Sequence, residues 1–459
     1  MKEKDNYIRI IPCVILLLVF SLLQFHRLKE YYDELLSSTG LVFEDFDSKV
    51  REENERARQE GKDYQKLLQA EGAVDPEADP NITLDNDPDT GGDNGQDSPP
   101  VKLKLRALSS LLMDASNNRV LYEENGYREM PMASTTKIMT CIVTLENANL
   151  KDTVTISSYA SRMPDVQLNI KAGEQYLLRD LLYSLMLESH NDTAVAIAEH
   201  VGGSVEGFAA MMNDTARRWG CEHTNFVTPN GLDAENHYTT ARDLAVIASY
   251  AIRNPQFLEI TNTSSHSFQE LKSGRSFTVT NKNRFLYMME GAIGVKTGFT
   301  SKAGYCFVGA VRRQNKVLIS VVLGSGWPPN KNLKWTDTKA LMGYGIDHYE
   351  EREIFQDVKL DPLFVKNGQV KYEGLSMKGN LSLLMRKDEQ VSVEYVIPEY
   401  LEAPVQAGSA VGEARYSIDG SYYTSVPIYA VKSIEKIDYP FCLKKVLNLW
   451  NGQYLNAAE

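Results

Sequence analysis

An apolar run from Ile10 to Phe25 follows Lys2, Lys4 and Arg9, the layout of an export signal. Its length is near the upper end for a signal core and slightly short for a standard membrane span. No small-x-small cleavage site follows, and His26-Arg-Leu-Lys29 comes directly after it. The pattern predicts an uncleaved signal anchor, with a cleaved export signal as the alternative. In both cases the remainder of the chain is exported.

The texture then changes three times. Glu44 to Ala70 is rich in Glu, Lys, Arg and Gln and reads as a solvated helical stalk. Val74 to Pro100 is dominated by Asp, Pro, Gly and Asn, too polar to bury a core, and is expected to be disordered. From Leu103 the spacing becomes that of a folded domain. Leu105 to Met113 predicts a strand, Ser116-Asn-Asn118 a turn and Val120 to Tyr122 the returning strand. A helix is predicted to begin near Ala133, with others across Leu177–Leu187, Asp192–Val201, Val205–Trp219 and Thr240–Ile252. Gly304–Val311 and Val317–Leu323 alternate around Arg313-Gln-Asn315 as a second hairpin. Strands at both ends with helices between predict an α+β domain whose sheet joins its terminal strands.

After about Arg352, Val358–Leu360, Val370–Tyr372, Leu381–Met385, Val391–Val396 and Ile428–Val431 predict short strands of a small all-β module. From Pro440 to Asn451, Cys442, Leu443, Val446, Leu447 and Trp450 fall on one helical stripe, with Lys444, Lys445 and Asn448 opposite. That stripe fits an interfacial membrane helix, or a packed terminal helix. The expected divisions are an anchor at 1–27, a stalk and linker at 28–100, a catalytic domain at 101–352, the β module at 353–437 and the terminal helix at 438–459.

Charge and cysteine content narrow the classes. The net charge of −12 includes nine acidic residues between Glu71 and Pro100, so the acidity belongs to the linker and not to a binding face. No concentrated basic surface points to nucleic acid. The five cysteines form no C-x-x-C pair. They read as buried apolar thiols, with Cys13 and Cys442 in membrane-facing segments. No H-E-x-x-H is present, so no metal or other cofactor is expected. Asn81-Ile-Thr83 matches a glycosylation pattern but carries little weight.

Three short motifs carry chemistry: Ser134-Thr-Thr-Lys137, Ser189-His190-Asn191 and Lys296-Thr297-Gly298, the S-x-x-K, S-x-N and K-T-G set of a serine acyl-transfer site. The order is the signal. Ser433-Ile-Glu-Lys436 and Ser116-Asn-Asn118 are decoys without partners behind them. At i and i+3 on a helix, Lys137 reaches Ser134. It can act as a base only if burial and a second cation, such as Lys296, hold it neutral. Ser189 lies in a loop between helices where it can face the nucleophile, and Asn191 offers an amide to position a substrate. Lys296 and Thr297 supply a cation and a hydroxyl for a carboxylate. Gly298 lets a substrate backbone lie against the strand, and Phe299 N–H joins Ser134 N–H as an oxyanion donor. In isolation each motif has an ordinary explanation: a helix start, a cap, a surface turn.

The chain resembles a low-molecular-weight penicillin-binding protein, a serine-type D-alanyl-D-alanine carboxypeptidase of the peptidase S11 family. Asn225-Phe-Val-Thr-Pro-Asn-Gly-Leu232, His237-Tyr-Thr-Thr240 and Thr297-Gly-Phe-Thr-Ser-Lys-Ala-Gly-Tyr305 resemble that family's connecting segments. The likeness runs from about Leu103 to Tyr349, and Ala403-Pro-Val405 with Gly408 to Gly412 resembles its C-terminal domain. It implies a β-lactamase/transpeptidase-like α+β catalytic domain followed by a small all-β domain. It also implies removal of the terminal D-alanine from peptidoglycan pentapeptide stems, an acyl-enzyme at Ser134, and covalent trapping by β-lactam antibiotics. By the same resemblance Lys137 is the base, Ser189 relays a proton to the leaving amine, and Lys296 with Thr297 grips the substrate carboxylate. The expected location is the outer face of the bacterial cytoplasmic membrane, facing the wall.

Two departures stand out. His190 occupies a place where the family commonly has a small residue, and its role stays open between turning away, narrowing the site and titrating. The stalk and permanent N-terminal anchor are additions. A class A β-lactamase shares all three motifs but needs an E-x-x-x-N segment before the third. Here Glu222 is followed four places on by Phe226. A D,D-endopeptidase acting on cross-links and a catalytically dead wall-binding protein also compete with the carboxypeptidase reading.

Overall fold

The computed structural model describes residues 102–164 and 166–450, with the side chains of 448–450 excepted. The predicted anchor, stalk and linker, with Cys13 and the glycosylation pattern, lie outside the described residues. The central sheet is antiparallel with strand order β2-β1-β9-β8-β7. Its members are β1 (Ser109–Asp114), β2 (Arg119–Glu124), β7 (Ala292–Thr300), β8 (Gly304–Arg313) and β9 (Lys316–Leu323). Terminal strands therefore do meet, β1 pairing with β9 from Ser109↔Leu323 to Asp114↔Leu318. The strands are apolar on both faces because helices cover both. Leu111, Met113, Val308 and Ile319 join a core with α1 (Lys137–Asn147), α2 (Leu178–Leu187), α3 (Asn191–Gly202), α4 (Val205–Arg218), α5 (Ala241–Ala251) and α6 (Pro255–Asn262). Leu112, Phe307, Leu318 and Val322 face the other way, toward α8 (Leu333–His348).

Several boundaries differ from expectation for physical reasons. The first strand begins at Ser109, not Leu105, because residues 103–107 pack Leu103 and Leu105 on the α8 side and Arg106 N–H donates to Asp337 Oδ1 at 3.0 Å. Leu177 ends β4 (Gln175–Leu177), paired with β3 (Thr153–Thr155), and extends the backbone ahead of α2. Helix α6 begins with an Asn254 cap accepting from Gln256 N–H and Phe257 N–H, with Pro255 in the first turn. It leads into the hairpin β5 (Ser265–Gln269)–β6 (Ser276–Thr280) and the one-turn helix α7 (Phe285–Met288).

The β module is built from β10 (Glu350–Glu353), β11 (Leu363–Lys366), β12 (Tyr372–Glu373), β13 (Leu375–Met377), β14 (Ser382–Met385), β15 (Val391–Val396), β16 (Tyr400–Glu402), β17 (Ala410–Ile418) and β18 (Ser421–Ala430). Val358–Leu360 is irregular, contrary to expectation. Strand β10 crosses the expected boundary at 352 and pairs with β14. The module is tied to the catalytic sheet by Arg119, whose guanidinium bonds Glu389 Oε1 at 2.7 Å and Leu384 O. Tyr349 O–H also donates to Leu121 O at 2.5 Å. Helix α9 (Tyr439–Trp450) closes the described chain, with Asp438 Oδ1 accepting from Phe441 N–H at 2.9 Å. Among the described residues, no helix is long and apolar enough to cross a membrane. Cys141, Cys221 and Cys306 are buried free thiols, whereas Cys442 is a free thiol exposed on α9.

Candidate active site

Three segments converge where the 3-10 turn Ala133–Thr136 runs into α1. Ser134 is therefore on a 3-10 turn and not on a regular α-helix, and Lys137 opens α1. The turn is pinned locally: Thr135 Oγ1–H donates to Met132 O at 2.6 Å and Thr136 Oγ1–H to Ala133 O at 2.8 Å. Ala133 has φ 48°, a left-handed backbone unusual for a residue with a Cβ, costing about 1–3 kcal/mol. His237 supports the strained turn from behind. Its Nδ1 accepts Val227 N–H at 3.0 Å, so its Nε2–H is the donor toward Thr136 Oγ1 at 2.9 Å. Burial pushes that imidazole down to about 4, which keeps the bracket neutral.

Lys137 is fully buried and its Nζ has three neighbours: Ser134 Oγ at 3.0 Å, Asn191 Oδ1 at 2.9 Å and Asn230 O at 2.5 Å. Burial, and next the charge of Lys296, hold its amine well below the ordinary lysine range, while Asp192 opposes the shift. A neutral amine has two N–H donors and one lone pair. The two carbonyl oxygens take both donors, and the lone pair is left for the Ser134 hydroxyl proton.

Ser189 stands in the turn between α2 and α3 with φ 71°, again left-handed. Its Oγ accepts from Lys296 Nζ at 3.0 Å. Asn191 is the first residue of α3 and donates from Nδ2 to Pro164 O at 3.2 Å while its Oδ1 holds Lys137. Lys296, Thr297 and Gly298 lie inside β7, the edge strand of the sheet. Lys296 is 2% exposed, and burial lowers it to about 7. Thr297 is half-buried, and Phe299 is exposed and tilted against Tyr305 at 4.6 Å. Gly298 is favoured by close approach: a Cβ there would lie 3.0 Å from Ser134 N, tight enough to push on the backbone that carries the serine. The eight sequence-designated residues thus come from three segments that meet, with Gly298 of β7 against the backbone of Ser134. Ser134, Lys137 and Asn191 are in direct contact, and Ser189 pairs with Lys296.

His190 turns inward. Its ring is 4% exposed, with Nδ1 2.8 Å from Ser184 Oγ and Nε2 3.4 Å from Glu188 Oε2. Burial lowers its pKa despite the carboxylates of Asp192 and Glu188, so at neutral pH it is an uncharged brace beneath Ser189.

Two groups escape a reading of the sequence. Asn230 contributes a backbone carbonyl, which no side-chain pattern reveals. Asp192, 1% exposed, accepts from Leu168 N–H at 3.0 Å, Asn169 N–H at 2.9 Å and Ile170 N–H at 3.2 Å, tying the 166–170 loop to the start of α3. Asp192→Ala leaves two buried donors, Leu168 N–H and Ile170 N–H, and the part-buried Asn169 N–H without this acceptor, and a loss of about 2–4 kcal/mol in urea unfolding is expected.

Known proteins share this plan. A profile of the D-alanyl-D-alanine carboxypeptidase family, peptidase S11, matches residues 94–326, and a profile of the penicillin-binding protein 5 C-terminal domain matches 349–436. D-alanyl-D-alanine carboxypeptidase DacF of Bacillus subtilis is 29% identical over 358 residues, covering 76% of this chain and 91% of that protein. A D-alanyl-D-alanine carboxypeptidase of Streptomyces sp. K15 is 34% identical over 262 residues, 54% of this chain and 89% of its own. The crystal structure of penicillin-binding protein 5 from Haemophilus influenzae matches with a TM-score of 0.62 at 29% identity, over 74% of this chain and all of that one. The chain belongs to the peptidase S11 family of hydrolases, the D-alanyl-D-alanine carboxypeptidases.

Proposed function

We propose that the enzyme takes peptidoglycan pentapeptide stems, forms an acyl-enzyme on Ser134 as it releases the terminal D-alanine, and is trapped at the same serine by β-lactams. The observation that carries this reading is the amine of Lys137, whose two N–H groups are engaged by Asn191 Oδ1 and Asn230 O while Ser134 Oγ lies 3.0 Å away. Lys137 takes the hydroxyl proton as Ser134 Oγ bonds to the carbonyl carbon of the penultimate D-alanine. Ser134 N–H and Phe299 N–H hold the oxyanion. When the C–N bond breaks, the proton travels through Ser189 to the leaving amine. Water then cleaves the ester with Lys137 again as base. Where a class A β-lactamase would supply asparagine, Phe226 is buried against His237, in keeping with slow release of a bound β-lactam.

Lys296 and Thr297 receive the carboxylate of the leaving D-alanine. With Lys296 at about 7 in the free enzyme, its charge is lost as pH rises through that value. For a peptide with a free C-terminal carboxylate, kcat/KM is therefore expected to fall as pH rises through about 7, and to fall at low pH as Lys137 gains a proton. A peptide with that carboxylate blocked as an amide lacks the alkaline fall. Mass spectrometry of a synthetic pentapeptide stem after incubation with the enzyme gives both the rate and the product. Loss of a single D-alanine supports the reading. Cleavage of only a cross-linked dimer would favour the endopeptidase, rapid turnover of penicillin the β-lactamase, and no penicillin labelling the dead scaffold.

The setting is the outer face of the cytoplasmic membrane. The basic-flanked run Ile10–Phe25 supports export and anchoring, and α9 exposes Leu443, Val446 and Leu447 as an interfacial helix does.

A further inference from the structure

One face of the β module carries aromatic side chains in a row. Strand β11 lies between β12 and β16, and Phe364 is directly opposite Tyr372 on one side and Tyr400 on the other. Residues paired in register point to the same face, so the three rings stand side by side across three strands, a span of about 10 Å. They are open to solvent: Tyr372 is 60% exposed, Phe364 45% and Tyr400 44%. Phe364 and Tyr372 are 6.0 Å apart between ring centroids. The other face of the same sheet is an ordinary core, where Val365 is buried with Ala403, Val405 and Ile434. An exposed apolar row over a fully packed face marks a contact surface, since folding did not need it.

What covers the row is indicated by where the chain goes next. The corner joining β11 to β12 is stitched to the segment that leads into α9. Gly368 bridges Lys436, Asn367 O accepts Ile437 N–H at 2.8 Å, and Gln369 N–H donates to Glu435 O at 2.9 Å. The helix begins at Tyr439, which is 77% exposed, and Val370 and Ile437 are exposed at the same corner. Apolar surface therefore continues from the sheet through the corner to Leu443, Val446 and Leu447. Exposed Lys366, Lys371, Lys436, Lys444 and Lys445 are interleaved there with exposed Asp361, Glu399, Glu402, Glu435 and Asp438. The Lys366 amine lies over the Tyr400 ring, 5.5 Å from its centroid. Tyrosine and lysine interleaved at one level are the residues of a membrane–water boundary.

We propose that the Tyr372–Phe364–Tyr400 row is a second membrane-contact surface, seating the β module on a bilayer beside α9. This rests on the membrane reading of α9, and the test separates the two.

Three full-length chains are labelled with an environment-sensitive fluorophore on a single exposed thiol and reconstituted in vesicles of phosphatidylcholine and phosphatidylglycerol, with or without acyl-brominated lipid. The first carries Cys13→Ser and is labelled at Cys442 on α9. The second adds Cys442→Ser and Tyr372→Cys. The third has Tyr422→Cys in place of Tyr372→Cys, at the β17–β18 hairpin of the other sheet. Penicillin labelling of each confirms an intact fold. Interfacial side chains enter roughly 5–10 Å into the headgroup boundary, so the probes at 372 and 442 are expected to lose about half their emission to brominated lipid and the probe at 422 almost none. Quenching at 442 without quenching at 372 overturns the sheet contact and leaves the helix reading standing. No quenching at either position overturns both. Shielding of the 372 probe by soluble glycan strands, with no response to lipid, would identify the row as a saccharide platform and also overturn the proposal.

Discussion

Ser134→Ala is expected to abolish fluorescent-penicillin labelling and D-alanine release together, a fall on the order of 10⁵-fold or more, because loss of the nucleophile removes the whole relay. The fold should not notice. Ser134 is half-buried and, besides Lys137, its hydroxyl has only a long 3.5 Å approach to Asn230 O. Unfolding free energy is expected to stay within about 1 kcal/mol of the parent in the same preparation. Unchanged stability with labelling retained would move the acyl site elsewhere. The decoy Ser433-Ile-Glu-Lys436 is the obvious place to look, but Lys436 is exposed in the β module and could not be held neutral as Lys137 is.

Lys137→Met is expected to slow acylation by about 10²–10⁴-fold, the range of a lost general base. Methionine fills a similar volume in a fully buried position, so the rate change separates chemistry from packing. Two acceptors, Asn191 Oδ1 and Asn230 O, lose their donor, which is expected to cost about 1–3 kcal/mol in stability. Lys137→Arg should be equally slow for a different reason: a guanidinium cannot give up its proton to become a base. Stopped-flow labelling with a penicillin measures both. Acylation at near-parent rates in the methionine variant would remove Lys137 from the role of base and leave Lys296 to be tested.

Much of the fold and cleft can be read from the chain alone. The hairpin from Gly304 to Leu323 shows because both strands are apolar on both faces and the polar Arg313-Gln-Asn315 interrupts them. The three motifs show because each is a run of chemically distinctive side chains. Helix α8 does not show. It buries Lys334 and Asp337, and it meets the sheet through Gly345, where a Cβ would fall 2.8 Å from Leu112 and 2.9 Å from Leu318. Lys334, Asp337 and Gly345 interrupt the packed Trp335, Leu341, Met342 and Tyr344, so the stripe that periodicity detects is broken. The β17–β18 hairpin turns at Asp419-Gly420, a strong turn signal, yet its strands mix polar and apolar residues so evenly that only Ile428–Val431 stands out. In the cleft, the left-handed Ala133 and the carbonyl of Asn230 are backbone features without a residue signature. The inward turn of His190 depends on Ser184 and Glu188, which only the packed α2 brings to it.

The order of strands in the catalytic sheet has a consequence in time. Strands β1 and β9 are neighbours with nearly the whole catalytic domain between them in sequence, and the cleft inherits that separation. Lys137 meets Asn230 across 93 positions, and Lys296 meets Ser189 across 107. Loop closures of this length come late and slowly in folding. Helices α1 to α6 can form and collapse before β7 brings Lys296 and the Phe299 N–H to the serine. A growing or partly folded chain is therefore chemically silent, and the appearance of penicillin labelling during refolding dates the moment at which the two ends of the domain join.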